Sequence, residues 1–396
     1  MSCFVSAFAS EPDQIHASES YRVLTSGEGW ADHRWTVRVG DYALTITQRL
    51  DPETGMPPSK RRWGDSFIGI DGHKERRYFA ANWSPWTFVL PVVRLEGEEQ
   101  NVPAASLYGR CVFAGLRSVE EKRAVAEAVF RDSTGGHFRL RIVGQKRFPD
   151  RFGVMLRYTP GKGHTVKDLR YRLVCQPTDY SDRGYWQRQR ALSTPDHSCR
   201  LLKEPPSLTM NPDSDGPWVF HNCFAHITSG TFLAVRQGDF STMKVPAADK
   251  TITIELTPRE KRGWVHLLCG DWVNEPYSRV CARLLADADE LQEHVAIFAA
   301  TGPLAPSSVA EITPELENCD AQVRAAVASA FEKCRQALAQ LQAAERTSDG
   351  EDVTALLTYD QAKKALIERV RTERARWINE KKWRGKPVKG IDSSSK

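Results

Sequence analysis

Two histidines on one apolar stretch are the first residues whose type and spacing suit chemistry. His221 and His226 lie in Pro217–Thr228 (PWVFHNCFAHIT), and His266 lies in Gly263–Cys269. On a pleated strand His226 shares a side with Trp218 and Phe220, while His221 points the other way. An imidazole held off water beside a carboxylate works as a general acid or base near neutral pH. Asp65, Asp71, Asp179, Asp182, Asp239 and Glu255 are available, and no spacing pairs any of them with a histidine. Three strand histidines could also hold zinc; histidines hydrogen-bonded in the core are the structural alternative. His221 and His226 are the candidate catalytic residues, and no metal ligand set is assigned.

The second constellation is aromatic. Trp63, Trp83 and Trp86 fall in an irregular stretch, residues 51–86, and Tyr180, Tyr185, Trp186 and Arg188 fall in another, residues 176–216. Indole and phenol rings in polar loops suit stacking on the C–H face of a sugar, with nearby Arg and Asp binding its hydroxyls. Rings that cap the ends of the core are the alternative. The candidate substrate-binding set is Trp63, Trp83, Trp86, Tyr185, Trp186 and Arg188, with a carbohydrate as ligand.

Other chemistries lack their residues. No Gly-rich phosphate loop, GxSxG elbow, HExxH or EF-hand pattern occurs, and Gly161-Lys162-Gly163 does not have Walker spacing. ATP-driven and serine-hydrolase chemistry are therefore not expected, and no cofactor is assigned. Nine cysteines without CxxC pairs, several on apolar positions such as Cys175, Cys223, Cys269, Cys319 and Cys334, read as buried thiols.

Charge is placed unevenly. Residues 361–396 carry 12 Lys/Arg against 4 Asp/Glu, a surplus larger than the chain's net +5. The tail could meet phosphates, but Glu368, Glu373 and Glu380 give it the pattern of a solvated, salt-bridged helix, which argues against nucleic acid as the partner. No apolar run reaches the roughly 18 residues a membrane helix needs. The start, MSCFVSAFASEP, contains Ala-Phe-Ala like a signal-peptidase site but no basic region before it. Two readings stay open: cytoplasmic by default, or exported if a longer signal has been lost.

The elements that must position these residues are mostly strands. Trp35, Val37 and Val39 alternate, Gly40-Asp41 turns, and Tyr42, Leu44 and Ile46 alternate again, a hairpin pattern. Phe88 to Leu95, Arg110 to Leu116, Phe138 to Ile142, Val154 to Tyr158 and Leu169 to Cys175 read as further strands. Ala124 to Arg131 fits a helix or a strand equally. Asp215 to Trp272 reads as four or five strands, the first covered on both sides and followed by a tight turn at Ser229-Gly230. Beyond Trp272 the period lengthens to about 3.6 residues. Ser278 to Ala300 reads as one helix. Leu316, Val323, Val327, Cys334 and Leu341 mark a second, and Leu366, Val370 and Trp377 a third from about Tyr359 to Trp383.

The expected fold is mainly β: a large antiparallel β-sandwich, supersandwich-like, followed by a C-terminal α-helical hairpin. The expected divisions are a flexible N-terminal segment (1–30), the sandwich (31–275), a helix and linker (276–307), the hairpin (308–385) and a disordered basic tail (386–396). The hairpin's apolar stripes are narrow, so a partner surface is expected for them, either the sandwich or another subunit of a homo-oligomer.

A strand like LRYRLVCQPTDY, then one like TITIELTP, then helices, resembles the supersandwich domains of the galactose-mutarotase-like superfamily over about residues 30–275. The resemblance implies a carbohydrate-related protein. Mutarotases of that superfamily use a His acid and a Glu base on the concave sheet, so His221 or His226 would take the His role; no matching Glu motif is present. Related hydrolases and phosphorylases carry a large helical toroid, for which the remaining helical residues are too few. The expected function is a carbohydrate-interacting β-sandwich protein, binding or acting on an oligo- or polysaccharide; if an enzyme, it would be mutarotase-like or glycan-active. The alternative is a non-enzymatic assembly protein that oligomerises through its helical hairpin.

Overall fold

Antiparallel pairing between sequence neighbours generates most of the architecture. The computed structural model describes residues 15–23, 31–40, 42–50, 66–71, 88–104, 110–120, 122–175, 191–200, 208–222, 229–246, 252–273, 277–300, 321–347 and 352–383. The strands are β1 (Ile15–Val23), β2 (Ala31–Val39), β3 (Tyr42–Leu50), β4 (Ser66–Asp71), β5 (Phe88–Leu95), β6 (Arg110–Glu120), β7 (Arg123–Arg131), β8 (His137–Gln145) and β9 (Phe148–Thr159). They continue with β10 (Val166–Cys175), β11 (Ala191–Ser193), β12 (Ser198–Arg200), β13 (Leu208–Met210), β14 (Trp218–Asn222), β15 (Ser229–Val235), β16 (Phe240–Val245), β17 (Ile252–Pro258) and β18 (Val265–Val273). The helices are α1 (Tyr277–Ala286), α2 (Ala288–Ala299), α3 (Ala321–Thr347) and α4 (Asp352–Trp383).

Among the described residues the strands form three sheets. The large sheet has nine strands in the order β12-β11-β14-β15-β18-β9-β8-β7-β6; the others are β1-β2-β3-β4 and β13-β16-β17-β10-β5. One face of the large sheet, with Ala126, Leu140, Val154, Leu267 and Leu233, joins a single buried core with Val37 and Ile46 of the four-stranded sheet and Leu173 and Ile254 of the five-stranded one. The fold is thus mainly β, with two layers of antiparallel strands around one core.

The stretch that fitted helix or strand equally is β7. Its inward residues are Ala124, Ala126 and Ala128, all fully buried. Alanine favours helix by itself, but pairing with β6 and β8 decides the matter, and small side chains let the four-stranded sheet come close. A Cβ on the adjacent Gly144 would sit 2.6 Å from Val37 Cγ1.

Several expectations are corrected. The N-terminal segment expected to be flexible up to residue 30 contains β1, paired along its length with β2. Ser229 and Gly230 are not a turn but the first residues of β15, paired with Val273 and Trp272. The Asp215–Trp272 stretch holds five strands, the upper of the two counts expected, with β16 formed by the mixed sequence FSTMKV. The helix expected over Ser278–Ala300 is two helices, α1 and α2, divided at Asp287. The last helix begins at Asp352, seven residues before the expected Tyr359.

The chain divides into two compact units, residues 1–302 and 303–396. In the second, α3 and α4 form a close-packed antiparallel pair. Val323, Val327, Cys334 and Leu341 of α3 and Val353, Leu356, Leu366 and Val370 of α4 are buried. No helix among the described residues is long and apolar enough to cross a membrane.

Candidate functional site

The outer face of the large sheet, opposite the core, carries charged residues that are buried rather than solvated. Strand alternation puts Glu127 of β7, Arg139 and Arg141 of β8, and Met155 and Arg157 of β9 on this face. Cross-strand register sets Glu127 opposite Arg141, Arg141 opposite Met155, and Met155 opposite His266 of β18. A second row sets Val129 opposite Arg139, and Arg139 opposite Arg157.

Glu127 and Arg139 are both fully buried. Arg139 Nε donates to Glu127 Oε1 at 2.7 Å, with Nη2 in ion-pair contact 2.6 Å from the same oxygen, and Arg141 Nε donates to Oε2 at 3.0 Å. Taking a carboxylate out of water costs several kcal/mol, which only close opposite charges and hydrogen bonds offset. Trp264, immediately before β18, stacks with both cations: the Arg141 guanidinium carbon is 4.2 Å and the Arg139 carbon 4.9 Å from its ring centroid. The indole itself is half-buried. It therefore forms a flat ring at the top of an ion cluster, an arrangement suited to stacking a planar or C–H-rich ligand face.

His266 places an imidazole on the same face. Its Nδ1 lies 2.7 Å from Asp239 Oδ2, and its backbone N–H donates to that same oxygen at 2.8 Å. Asp239 ends the turn between β15 and β16, where Gly238 takes φ 84°, a left-handed conformation that glycine adopts without strain. A carboxylate on Nδ1 keeps the proton there in the neutral ring and leaves Nε2 to give or take one.

His137, at the start of β8, lies on the same side as Arg139 and Arg141. Burial pushes its pKa below the usual histidine value, Arg131 and Arg139 push the same way, and Asp132 opposes them. The face is closed at one end by α2. A Cβ on Gly153 of β9 would sit 2.8 Å from Phe298 Cβ, so the helix packs directly on the strand there.

The structure treats the expected site residues unevenly. Trp63, Trp83, Trp86, Tyr185, Trp186, Arg188 and His226 lie outside the described residues. His221 lies on β14, opposite Thr231, which is itself opposite Asp271 of β18. His266 is five residues from Asp271, about 17 Å along the strand, so register forbids His221 and His266 from sharing one zinc ion. Among the described residues no three His, Cys, Asp or Glu come together to hold a metal. Of the carboxylates considered, Asp239 meets a histidine, whereas Glu255 is held by Arg170 at 3.2 Å and Arg172 at 2.6 Å on the five-stranded sheet. Glu127, Arg139, Arg141 and Trp264 were not singled out from the sequence. The available signal was the lone acid in AVAEAVF, followed by Arg-Leu-Arg on the next strand.

No protein-family model matches the chain, and no curated protein matches it. Among solved structures it is similar to an alpha-N-acetylgalactosaminidase from Bifidobacterium bifidum, at 10% identity and TM-score 0.41, over 65% of this chain and 38% of that one. It is similar to a galactose 1-epimerase from Lactobacillus acidophilus, at 8% identity and TM-score 0.34, over 65% of this chain and 99% of that one. It is also similar to a heparan sulfate lyase from Pedobacter heparinus, at 7% identity and TM-score 0.34, over 61% of this chain and 35% of that one. The chain thus spans well under half of the galactosaminidase and of the lyase.

Proposed function

We propose that the protein binds or acts on a carbohydrate at the outer face of the large sheet. One observation carries this reading: a fixed His266–Asp239 pair lies in register with the buried Glu127–Arg139–Arg141 cluster and its half-buried Trp264 ring. A sugar needs a ring to stack on and charged groups that bind hydroxyls with directional hydrogen bonds. Any proton transfer at its anomeric or leaving oxygen needs a group such as an imidazole. In this proposal Trp264 is the platform, the buried Arg139–Arg141 pair fixes its ring from beneath, Arg188 holds hydroxyls or an acidic substituent, and His266 moves the proton. Trp63, Trp83, Trp86, Tyr185, Trp186 and Arg188 remain the proposed loop contacts and His226 a further proposed acid–base residue. His221 instead occupies a β14 position two residues from the core residue Val219, and so belongs to the opposite face of the sheet.

The alternative, assembly through the helical hairpin, has less to support it. Among the described residues of α3 and α4, the one large exposed hydrophobic is Ile378, and an oligomer interface needs an apolar centre. Isothermal titration against mono-, oligo- and polysaccharides tests the site, comparing the native protein with Trp264→Ala. Loss of a stacking platform of this kind should weaken binding about tenfold. Equal binding by both proteins would remove this face as the site.

A further inference from the structure

We infer that Gln292 of α2 is a positioning residue for the His266–Asp239 pair, fixing the β15–β16 turn from which Asp239 reaches the imidazole. The inference rests on the proposed acid–base role of that pair and names what sets its geometry.

The turn has little packing of its own. Arg236, Gln237 and Gly238 are exposed, and the closing bond from Asp239 N–H to Arg236 O is long, at 3.3 Å. Hydrogen bonds from outside must therefore hold its shape. Gln292 Oε1 accepts the Gln237 N–H at 3.0 Å, and its Nε2 donates to Val235 O at 3.0 Å. A backbone N–H only donates and a carbonyl only accepts, so both partners agree on one orientation of the amide. From the opposite side Asp213 Oδ1 accepts the Gly238 N–H at 3.0 Å, and the Arg259 N–H donates to Asp239 O at 2.9 Å. Gln292 itself is held in place because its helix buries Leu291, Val295 and Phe298.

The chain of dependence runs from α2 through Gln292 to Gln237, and from there two residues along the turn to Asp239. Were the turn to drift, Asp239 Oδ2 would leave Nδ1, and the imidazole would revert toward the Nε2-protonated form that free histidine prefers. That tautomer has no lone pair on Nε2 to act as a base.

The test reads the tautomer of the neutral His266 ring by nitrogen–proton correlation NMR in the full-length protein. In the native protein the Nδ1-protonated form should dominate. Gln292→Ala should lower the ratio of Nδ1-H to Nε2-H forms about fivefold, the bias of roughly one neutral hydrogen bond. Gln292→Glu, which keeps the acceptor for Gln237 but loses the donor to Val235, should fall between. Val295→Ala loosens the same helix without touching the turn; it should lower Tm and leave the native tautomer. If Gln292→Ala does not fold, Gln292→Asn, too short to span both partners, carries the comparison. An unchanged tautomer in the Gln292 variants, or an equal shift in Val295→Ala, would overturn the inference. A shifted tautomer with unaltered saccharide turnover would remove the acid–base reading while leaving the positioning role intact.

Discussion

Asp239 Oδ2 accepts two hydrogen bonds from His266, one from the backbone N–H at 2.8 Å and one from Nδ1 at 2.7 Å. A single oxygen thereby fixes both the strand position and the ring orientation of the one histidine that shares a sheet row with Glu127 and Arg141 among the described residues. Asp239→Asn keeps the shape but can present an N–H to the ring and favour the wrong tautomer. Turnover of a saccharide substrate should fall about 10²–10⁴-fold, with affinity changed by no more than about threefold. Steady-state kinetics separate the two, and a loss confined to KM would contradict the assignment.

The Glu127 carboxylate is surrounded by Arg139 and Arg141 and shielded from water. Glu127→Ala leaves guanidinium groups buried beside an uncharged void. The expected cost is about 3–5 kcal/mol of folding stability, read from the midpoint of urea denaturation. A change below about 1 kcal/mol would mean that solvent reaches the cluster and that its charges are not desolvated.

Strand periodicity makes the β layers legible in the sequence. The hairpin of β2 and β3 and the bounds of β5 followed from alternation and a turn glycine, Gly40 at φ 55°. The helical pair followed from its three-four spacing. What alternation hid was which side of a charged strand is wet. Arg139 and Arg141, alternating with Phe138 and Leu140, have the pattern of a solvated face, yet both are buried, because Glu127 of β7 and Trp264, just before β18, come to them from elsewhere in the chain. The Asp239–His266 pair was equally hidden: the two residues stand 27 apart in sequence, and the fold brings together the start of β18 and the turn before β16. Pairing across strands depends on register, which a single sequence does not encode locally.

Tyr158 and Tyr171 give the core an alkaline limit. Burial raises both pKa values well above the usual tyrosine range, and for Tyr158 the hydrogen bond to Asp132 adds to the effect. In the unfolded chain each would ionise near the ordinary value of about 10. The folded state therefore holds more protons above that pH, and the stability these groups contribute, complete below about pH 10, is lost as pH rises through the raised values. In Tyr158→Phe the decline above pH 10 should be shallower by one proton, about 1.4 kcal/mol per pH unit. Denaturation midpoints measured from pH 9 to 12 check this; parallel slopes would show that Tyr158 ionises normally in the fold.

The central claim, that the outer face of the large sheet receives a carbohydrate, is tested most directly by the intrinsic fluorescence of the eleven tryptophans, titrated with a panel of mono-, oligo- and polysaccharides. Trp264 lies within the proposed site, and Trp63, Trp83, Trp86 and Trp186 are its proposed loop contacts. The account predicts a saturable change with one class of glycan, reduced in Trp264→Phe. A signal that stays flat across the whole panel would contradict it.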